Sequence, residues 1–300
     1  MVQVPPPREP SPPEAAREAL LEWYRPRREA YPWRRVATDS YRILVTEVMA
    51  QQTQAPRVAS VFTPFVERFP SIEALAAASR ADVLRAWSGL GYNGRAVALH
   101  EAAREIVREH AGTVPRDIGA LLALPGVGPY TAAAVASIAY GEPVAAIDTN
   151  VRRVIARAAR GAEPDELTPA ELAADADAWL DRRDPGTWNQ AVMDVGRALC
   201  RPVAPRCDQC PLARWCSFAA SGRVGRRSAK RQPRFEGSPR QVRGAVVRAL
   251  RDLPEASRSE IASATGFHRD RIGTAIGSLL RDGLVERAGR DRVRLHRGAG

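Results

Sequence analysis

Lysine is almost missing from this 300-residue chain: 45 residues are basic, and Lys230 is the single lysine among them. Chemistry that needs an amine nucleophile therefore has no side chain to use in residues 1–220. Long apolar runs are missing too. No stretch approaches the roughly 18 apolar residues of a membrane-spanning helix, and no basic-then-apolar signal segment opens the chain. The expectation is a soluble, intracellular protein without a membrane partner. Cysteine is absent except at Cys200, Cys207, Cys210 and Cys216. Two disulfides within so short a segment would be unusual inside a cell and would stabilise little of the chain.

Residues 1–220 carry 26 Arg against 26 acids, whereas residues 221–300 carry 19 Lys+Arg against 8 acids, so the whole net charge of +11 lies in the last quarter. An excess placed this way suggests a polyanionic partner such as nucleic acid, with a solvated tail as the alternative. The cysteines follow the spacing Cys-x6-Cys-x2-Cys-x5-Cys. Four thiolates suit a structural zinc or an iron-sulfur cluster, and spacing alone leaves the two level.

Residues 1–13 hold six prolines and no periodicity, and read as a disordered leader. From Glu14 to about Leu199 apolar residues recur at intervals of three and four with breaks at Pro and Gly, which predicts an all-α region. Residues 221–240 are rich in Arg, Gly, Ser and Pro and read as a basic linker. Residues 241–300 resemble a small independent module. They predict a helix over Val242–Leu253, a second opened by the capping-box pair Ser257 and Glu260, a third from about His268 to Asp282, and a hairpin turning at Ala288–Asp291. This is a winged-helix pattern whose third helix, with Arg269 and Arg271 near its start, could enter a major groove or serve as a protein adaptor.

Three constellations carry chemistry. LPGVGPYTA, Leu124–Ala132, joins two helical segments; Gly126 and Gly128 leave backbone N–H groups uncovered and Pro129 begins the next helix, which makes a helix-hairpin-helix able to hold one phosphate. Glu47 is the single acid of the apolar helix SYRILVTEVMAQQT. Beside Ile43, Leu44 and Ala50 it would be desolvated and protonated near neutrality, the state of a general acid; otherwise it pairs with Arg42 on the surface. Asp148 precedes a helix begun near Thr149 or Asn150. It is either an N-cap or an ionised carboxylate held to stabilise a developing cation.

In this order, LPGVGPYT, Asp148 and the cysteine pattern resemble the helix-hairpin-helix DNA glycosylase superfamily that carries a 4Fe-4S cluster. YPWRR (31–35), TEVMAQQTQ (46–54), GLGYNGRA (89–96) and WNQAVMDVGRALC (188–200) narrow the resemblance to the MutY-type adenine DNA glycosylases, over residues 14–220. It implies a two-lobed all-α fold, with a six-helix lobe over about 36–147 and a cluster lobe from 14–35 and 148–220. It also implies a 4Fe-4S cluster on Cys200, Cys207, Cys210 and Cys216, and a double-stranded DNA partner containing a mispair or damaged base. The expected protein is a monomer in a bacterial cytoplasm, associated with the nucleoid.

By the same resemblance Glu47 protonates an adenine extruded from the duplex, and Asp148 stabilises the sugar cation. Asn150 orients the site and Tyr130 contacts it. Trp33, Arg34 and Gln190 belong to the base pocket, while Gln52 and Thr53 fill the vacated stack with Tyr92 intercalating nearby. Tyr130 stands where strand-cutting relatives of the endonuclease III type carry a Schiff-base lysine, which implies a monofunctional enzyme. The sequence departs from the family pattern at Ala50, Asn93 and Thr149, and the usual C-terminal domain that reads 8-oxoguanine is replaced by the shorter module. Two rival readings remain: a mismatch glycosylase for T or U opposite G, or hypoxanthine, and a non-catalytic DNA-binding protein of the same fold.

Overall fold

The computed structural model describes residues 14–28, 30–35, 39–226 and 234–298. The leader at 1–13, Lys230 and part of the expected linker lie outside the described residues. The described chain forms α1 (Glu14–Tyr24), α2 (Ser40–Ala50), α3 (Ala55–Arg68), α4 (Ile72–Ala77), α5 (Arg80–Ala86), α6 (Gly94–Glu109), α7 (Ile118–Ala123), α8 (Pro129–Tyr140), α9 (Thr149–Arg160), α10 (Pro169–Trp179), α11 (Pro185–Ala198) and α12 (Ser217–Ala220). The last quarter adds α13 (Pro239–Asp252), β1 (Ala256–Ser257), α14 (Arg258–Thr265), α15 (Arg269–Arg281), β2 (Val285–Arg287) and β3 (Arg292–Leu295). No described helix is long and apolar enough to cross a membrane.

Helix boundaries follow local chemistry. Asp39, Ser71, Ser79, Asp117, Thr168, Asp184 and Ser238 each accept a backbone N–H of the first turn they cap. Proline opens α8, α10, α11 and α13, where its missing N–H costs nothing. Ser257 and Glu260 form the expected capping box.

Apolar side chains gather into two main cores. One joins α1 to α9, α10 and α11 through Leu20, Tyr24, Val154, Ile155, Trp179, Trp188 and Val192. The other unites α2–α8, centred on Leu44, Met49, Phe65, Trp87 and Leu99. Among the described residues, 39–147 holds seven helices, of which α4 and α7 are only six residues long. Between the lobes runs α8, buried from Thr131 to Ser137, whose alanines let it approach α11 closely. Asn189, fully buried on α11, ties the join: its Oδ1 accepts Ala146 N at 2.8 Å and its Nδ2 donates to Ser137 Oγ and Val144 O at 2.9 Å each.

The C-terminal region is a winged helix with one strand more than the sequence suggests. β3 lies between β1 and β2, antiparallel to both, with Val293 opposite Ala256 and Arg287. It is not independent. Val246, Val247, Leu250, Leu279 and Leu295 belong to the same core as α2–α8, Arg80 N donates to Arg297 O at 3.1 Å, and Arg251 Nη1 donates to Ser88 Oγ at 2.6 Å. The linker is also shorter than expected. Arg223 and Arg226 pair with Glu166 and Asp165 at 2.7 and 2.9 Å, which fixes residues 221–226 to the cluster lobe, and Ser238 already caps α13.

Candidate active site

Where the lobes meet, a pocket of about 210 Å³ is lined by Tyr31, Trp33, Arg34, Glu47, Ala50, Tyr130, Asp148, Asn150, Gln190, Met193 and Asp194, among others. Helix α2 supplies Glu47 from one lobe, and the start of α9 supplies Asp148 from the other. Bringing them together requires both lobes to be folded.

Glu47 does not pair with Arg42, whose guanidinium lies 3.4 Å from Asp39 instead. Tyr130 Oη donates to Glu47 Oε2 at 2.8 Å. Burial pushes the Glu47 carboxyl up to about 7; the Tyr130 hydrogen bond and Arg34 oppose the rise, and Asp148 adds to it. Burial, with the carboxylates beside it, also raises Tyr130 well above the ordinary phenol range, so that it stays a neutral donor. With Oε2 occupied as an acceptor, Oε1 is the oxygen free to carry a transferable proton.

Asp148 is the N-cap that its position suggests, and both of its carboxylate oxygens are engaged. As N-cap of α9 its Oδ1 accepts Asn150 N at 2.8 Å and Val151 N at 2.7 Å, while Oδ2 accepts Asn150 Nδ2 at 2.8 Å. Asn150 is itself aligned, since its Oδ1 accepts Arg153 Nη2 at 3.0 Å. Three N–H donors thus hold the carboxylate in place at the N-terminal end of α9.

The pocket wall is aromatic and basic. Tyr31 and Trp33 stack with centroids 4.7 Å apart, and Trp33 meets Phe62 edge-on. Arg34 lies over the Tyr24 and Tyr31 rings, with its Nη2 3.0 Å from Asp194 Oδ2. Its Nη1 is buried and has no hydrogen-bond partner among the described residues. Gln190 is positioned by Tyr24, whose Oη donates to Gln190 Oε1 at 3.1 Å.

Other expected site residues lie outside the pocket. Gly126, at φ +75° in the hairpin, sits against α6, and a side chain there would meet Ala98 Cβ at 2.6 Å. Glycine is required twice over at this turn. Gly128 caps α8, with open space around it. Gln52 (φ +55°) and Tyr92 (φ +45°) are non-glycine residues in the left-handed region, and both are exposed. Such strain is common where a side chain must project for function. Thr53 is different: half-buried, its Oγ1 accepts Arg95 Nη2 at 3.0 Å, so it braces the loop while Gln52 stands clear.

Sequence reasoning assigned no role to Asp194, Met193, Arg95 or Gly196, although all four lie in quoted motifs. Asp194 is an acid in an apolar helix like Glu47, so the same signal would have found it. Gly196 packs against the turn that carries Asp148 and Asn150: a Cβ there would meet Asn150 Cβ at 2.6 Å. Gly196→Ala is expected to destabilise the fold by about 1–3 kcal/mol and to lower base release by displacing Asn150 from Asp148. Thermal melting together with an activity assay checks both.

All four cysteines line one small pocket with Leu199, Pro205, Ala213 and Phe218. Burial raises the thiols of Cys200 and Cys216 and takes Cys210 to about 12. Arg157, buried between the α9 backbone and the cysteine loop, places Nη1 3.7 Å from Cys200 Sγ and donates to Arg201 O and Pro202 O.

Residues 45–177 match the family described as HhH-GPD superfamily base excision DNA repair protein. An adenine DNA glycosylase of Mycolicibacterium smegmatis is 41% identical over 280 residues, covering 92% of this chain and 94% of its own. The chain belongs to the adenine DNA glycosylase family. The human enzyme of that name is 40% identical over 75% of this chain but only 43% of its own length. A thermostable thymine-DNA glycosylase superimposes with a TM-score of 0.63 at 30% identity, over 68% of this chain and 95% of its own. The mycobacterial match, spanning more residues than the catalytic lobes contain, reaches into the C-terminal module, so this adenine glycosylase shares at least part of that module with its relative.

Proposed function

We propose that the protein is a monofunctional, monomeric glycosylase of base excision repair that binds double-stranded DNA and hydrolyses the N-glycosidic bond of adenine mispaired with 8-oxoguanine or guanine. The observation that carries this reading is the Glu47 carboxyl, raised to about 7 and held by Tyr130, facing the same pocket as the ionisable Asp148. A purine has ring nitrogens that can take a proton from Glu47, which turns the base into a neutral leaving group. As the bond breaks, positive charge develops on the sugar, and Asp148, already hydrogen-bonded and needing no rearrangement, opposes it. The extruded base would enter the pocket that Trp33, Tyr31 and Arg34 line. Ala50 lines the pocket, where a larger side chain would narrow it.

The four thiols fit an iron-sulfur cluster better than zinc. Four separate thiols around an apolar pocket, with Arg157 beside Cys200, suit a polynuclear group. Cys200, Cys207, Cys210 and Cys216 would hold a 4Fe-4S cluster, whose contribution is to brace the loop between Cys200 and Cys207. Iron analysis should find four irons per chain; a single zinc would overturn this.

The deciding experiment is single-turnover base release from duplexes with A:8-oxoguanine, A:G, T:G, U:G and hypoxanthine pairs. Adenine should leave the first two, with no adduct trapped by borohydride, because no described pocket residue is a lysine. Release of thymine or uracil alone would favour the mismatch reading, and release of nothing would reduce the protein to a DNA binder.

A further inference from the structure

Where the winged helix docks on α2–α8, a cleft of about 840 Å³ opens between residues 88–95 and α13. Arg57, Arg95, Arg240, Arg243, Arg248 and Arg251 line it, and among the described residues no acidic one does. Carbonyl and hydroxyl oxygens hold several of these guanidiniums without neutralising them. Arg57 Nε donates to Gly89 O at 2.8 Å, Arg251 Nη1 to Ser88 Oγ at 2.6 Å and Arg240 Nη1 to Tyr92 Oη at 2.9 Å. Arg243 pairs with Asp282 at 2.6 Å, and Arg248 is exposed. Gathering so much positive charge costs free energy unless an anion joins it.

Two aromatic rings share the cleft. Tyr92 is 41% exposed and Phe235 58% exposed, and guanidiniums interleaved with open aromatic faces suit a strand with an unstacked base. Gly244 is the third sign. It lies mid-helix in α13, on the arginine-bearing side that lines the cleft, and a Cβ there would meet nothing within 4 Å. Glycine weakens a helix relative to alanine, and no neighbour here demands its small size. Its effect is to leave the cleft open.

Arg95 links this place to the catalytic loop. Its guanidinium donates to Val48 O and Met49 O at 2.9 and 2.8 Å, to Gln51 O, and to Thr53 Oγ1 at 3.0 Å. The cleft is therefore one side chain away from the loop that presents Gln52. Arg271 at the start of α15, with its Nη2 2.6 Å from Gly237 O and its guanidinium over Phe267, does not line the cleft.

We propose that this cleft is a second nucleic-acid site, seating phosphates and an unstacked nucleotide of the substrate duplex beside the Gln52 loop, and that α13 rather than α15 is the module's DNA-facing helix. The inference rests on the glycosylase reading for the nature of the duplex. The test is duplex binding by fluorescence anisotropy over a salt series, with the full chain carrying Glu47→Gln so that no base is lost. Arg248→Glu should weaken binding about tenfold and lower the slope of log Kd against log salt by about one. Gly244→Trp changes no charge, yet by closing the cleft it should weaken binding and lower that slope too. Gly244→Ala, melting at least as high as the parent, should bind like it, and Arg269→Glu should lower the slope less than Arg248→Glu.

Parental affinity and slope in a folded Gly244→Trp variant, or equal effects of Arg269→Glu and Arg248→Glu, would overturn the proposal. So would displacement of polyglutamate, but not duplex, by Gly244→Trp, since the occupant would then be an acidic protein. The two readings fail separately. Should the unsubstituted protein release no base while these binding differences hold, the catalytic assignment falls and the cleft stands.

Discussion

Glu47→Gln is expected to bind duplex DNA while losing base release by a factor of about 10²–10⁴, the range that a positioned general acid contributes. Glutamine keeps the size of the side chain and can still accept the Tyr130 hydrogen bond through its amide oxygen, but it has no proton to give. The pH dependence of the parent follows from the same group. Glu47 must be protonated to act, and its pKa stands near 7, so single-turnover release should fall as pH rises through 7, and the Glu47→Gln residual should lack that limb. Stability moves the same way, beginning at lower pH. An ordinary glutamate titrates near 4.5 and the folded one near 7, so the native state holds a proton that the unfolded state releases between these values. Stability contributed by this group is full below 4.5 and is lost progressively up to 7, after which the cost of the buried charge is constant. Glu47→Gln removes that cost, and above pH 7 the variant should melt several degrees higher than the parent. A variant that keeps its activity would end the acid assignment; one that is inactive because it is unfolded would reveal itself by a lower melting temperature.

Local chemistry made much of this legible in the sequence. Asp148 as a cap, Ser257 with Glu260, Pro129 after Gly128 and the apolar surroundings of Glu47 are all written within a few residues of where they act. The Glu47–Tyr130 bond could be anticipated only through family resemblance, because the two residues are 83 positions apart and meet by the packing of α2 on α8. Asn189 and Gly196 act on partners more than 40 positions away in the chain, so no window of sequence displays their function. The docking of the C-terminal module left a readable trace that periodicity alone did not exploit. In α13 the buried residues Val242, Ala245, Val246, Val247, Ala249 and Leu250 cover more than one stripe, as expected of a helix covered on two sides. The two-residue strand β1 left none, since Ala256 and Ser257 show no alternation and pair only because β3 lies beside them.

Asp148→Asn separates the two roles that coincide at one residue. Asparagine is as good an N-cap as aspartate, and its Oδ1 can still accept Asn150 N and Val151 N, so α9 should persist. The loss is confined to charge and to the bond at Oδ2. An amide presenting Nδ2 towards Asn150 Nδ2 would set two donors face to face, which turns one of the amides away, and the sugar cation would develop without its counter-charge. Base release should fall by about 10²–10³, the scale set by removing one preorganised electrostatic group from an active site, with little change in melting temperature. Asp148→Ala removes the cap as well and should cost a further 0.5–2 kcal/mol or so of stability. Measured together, the pair assigns each effect. If Asp148→Asn keeps full activity while Asp148→Ala loses both activity and stability, Asp148 serves only to start α9, and stabilisation of the cation must come from elsewhere in the pocket. If Asp148→Asn is inactive at an unchanged melting temperature, the negative charge itself is what the site requires, and the three donors around it exist to hold that charge in place before the base arrives.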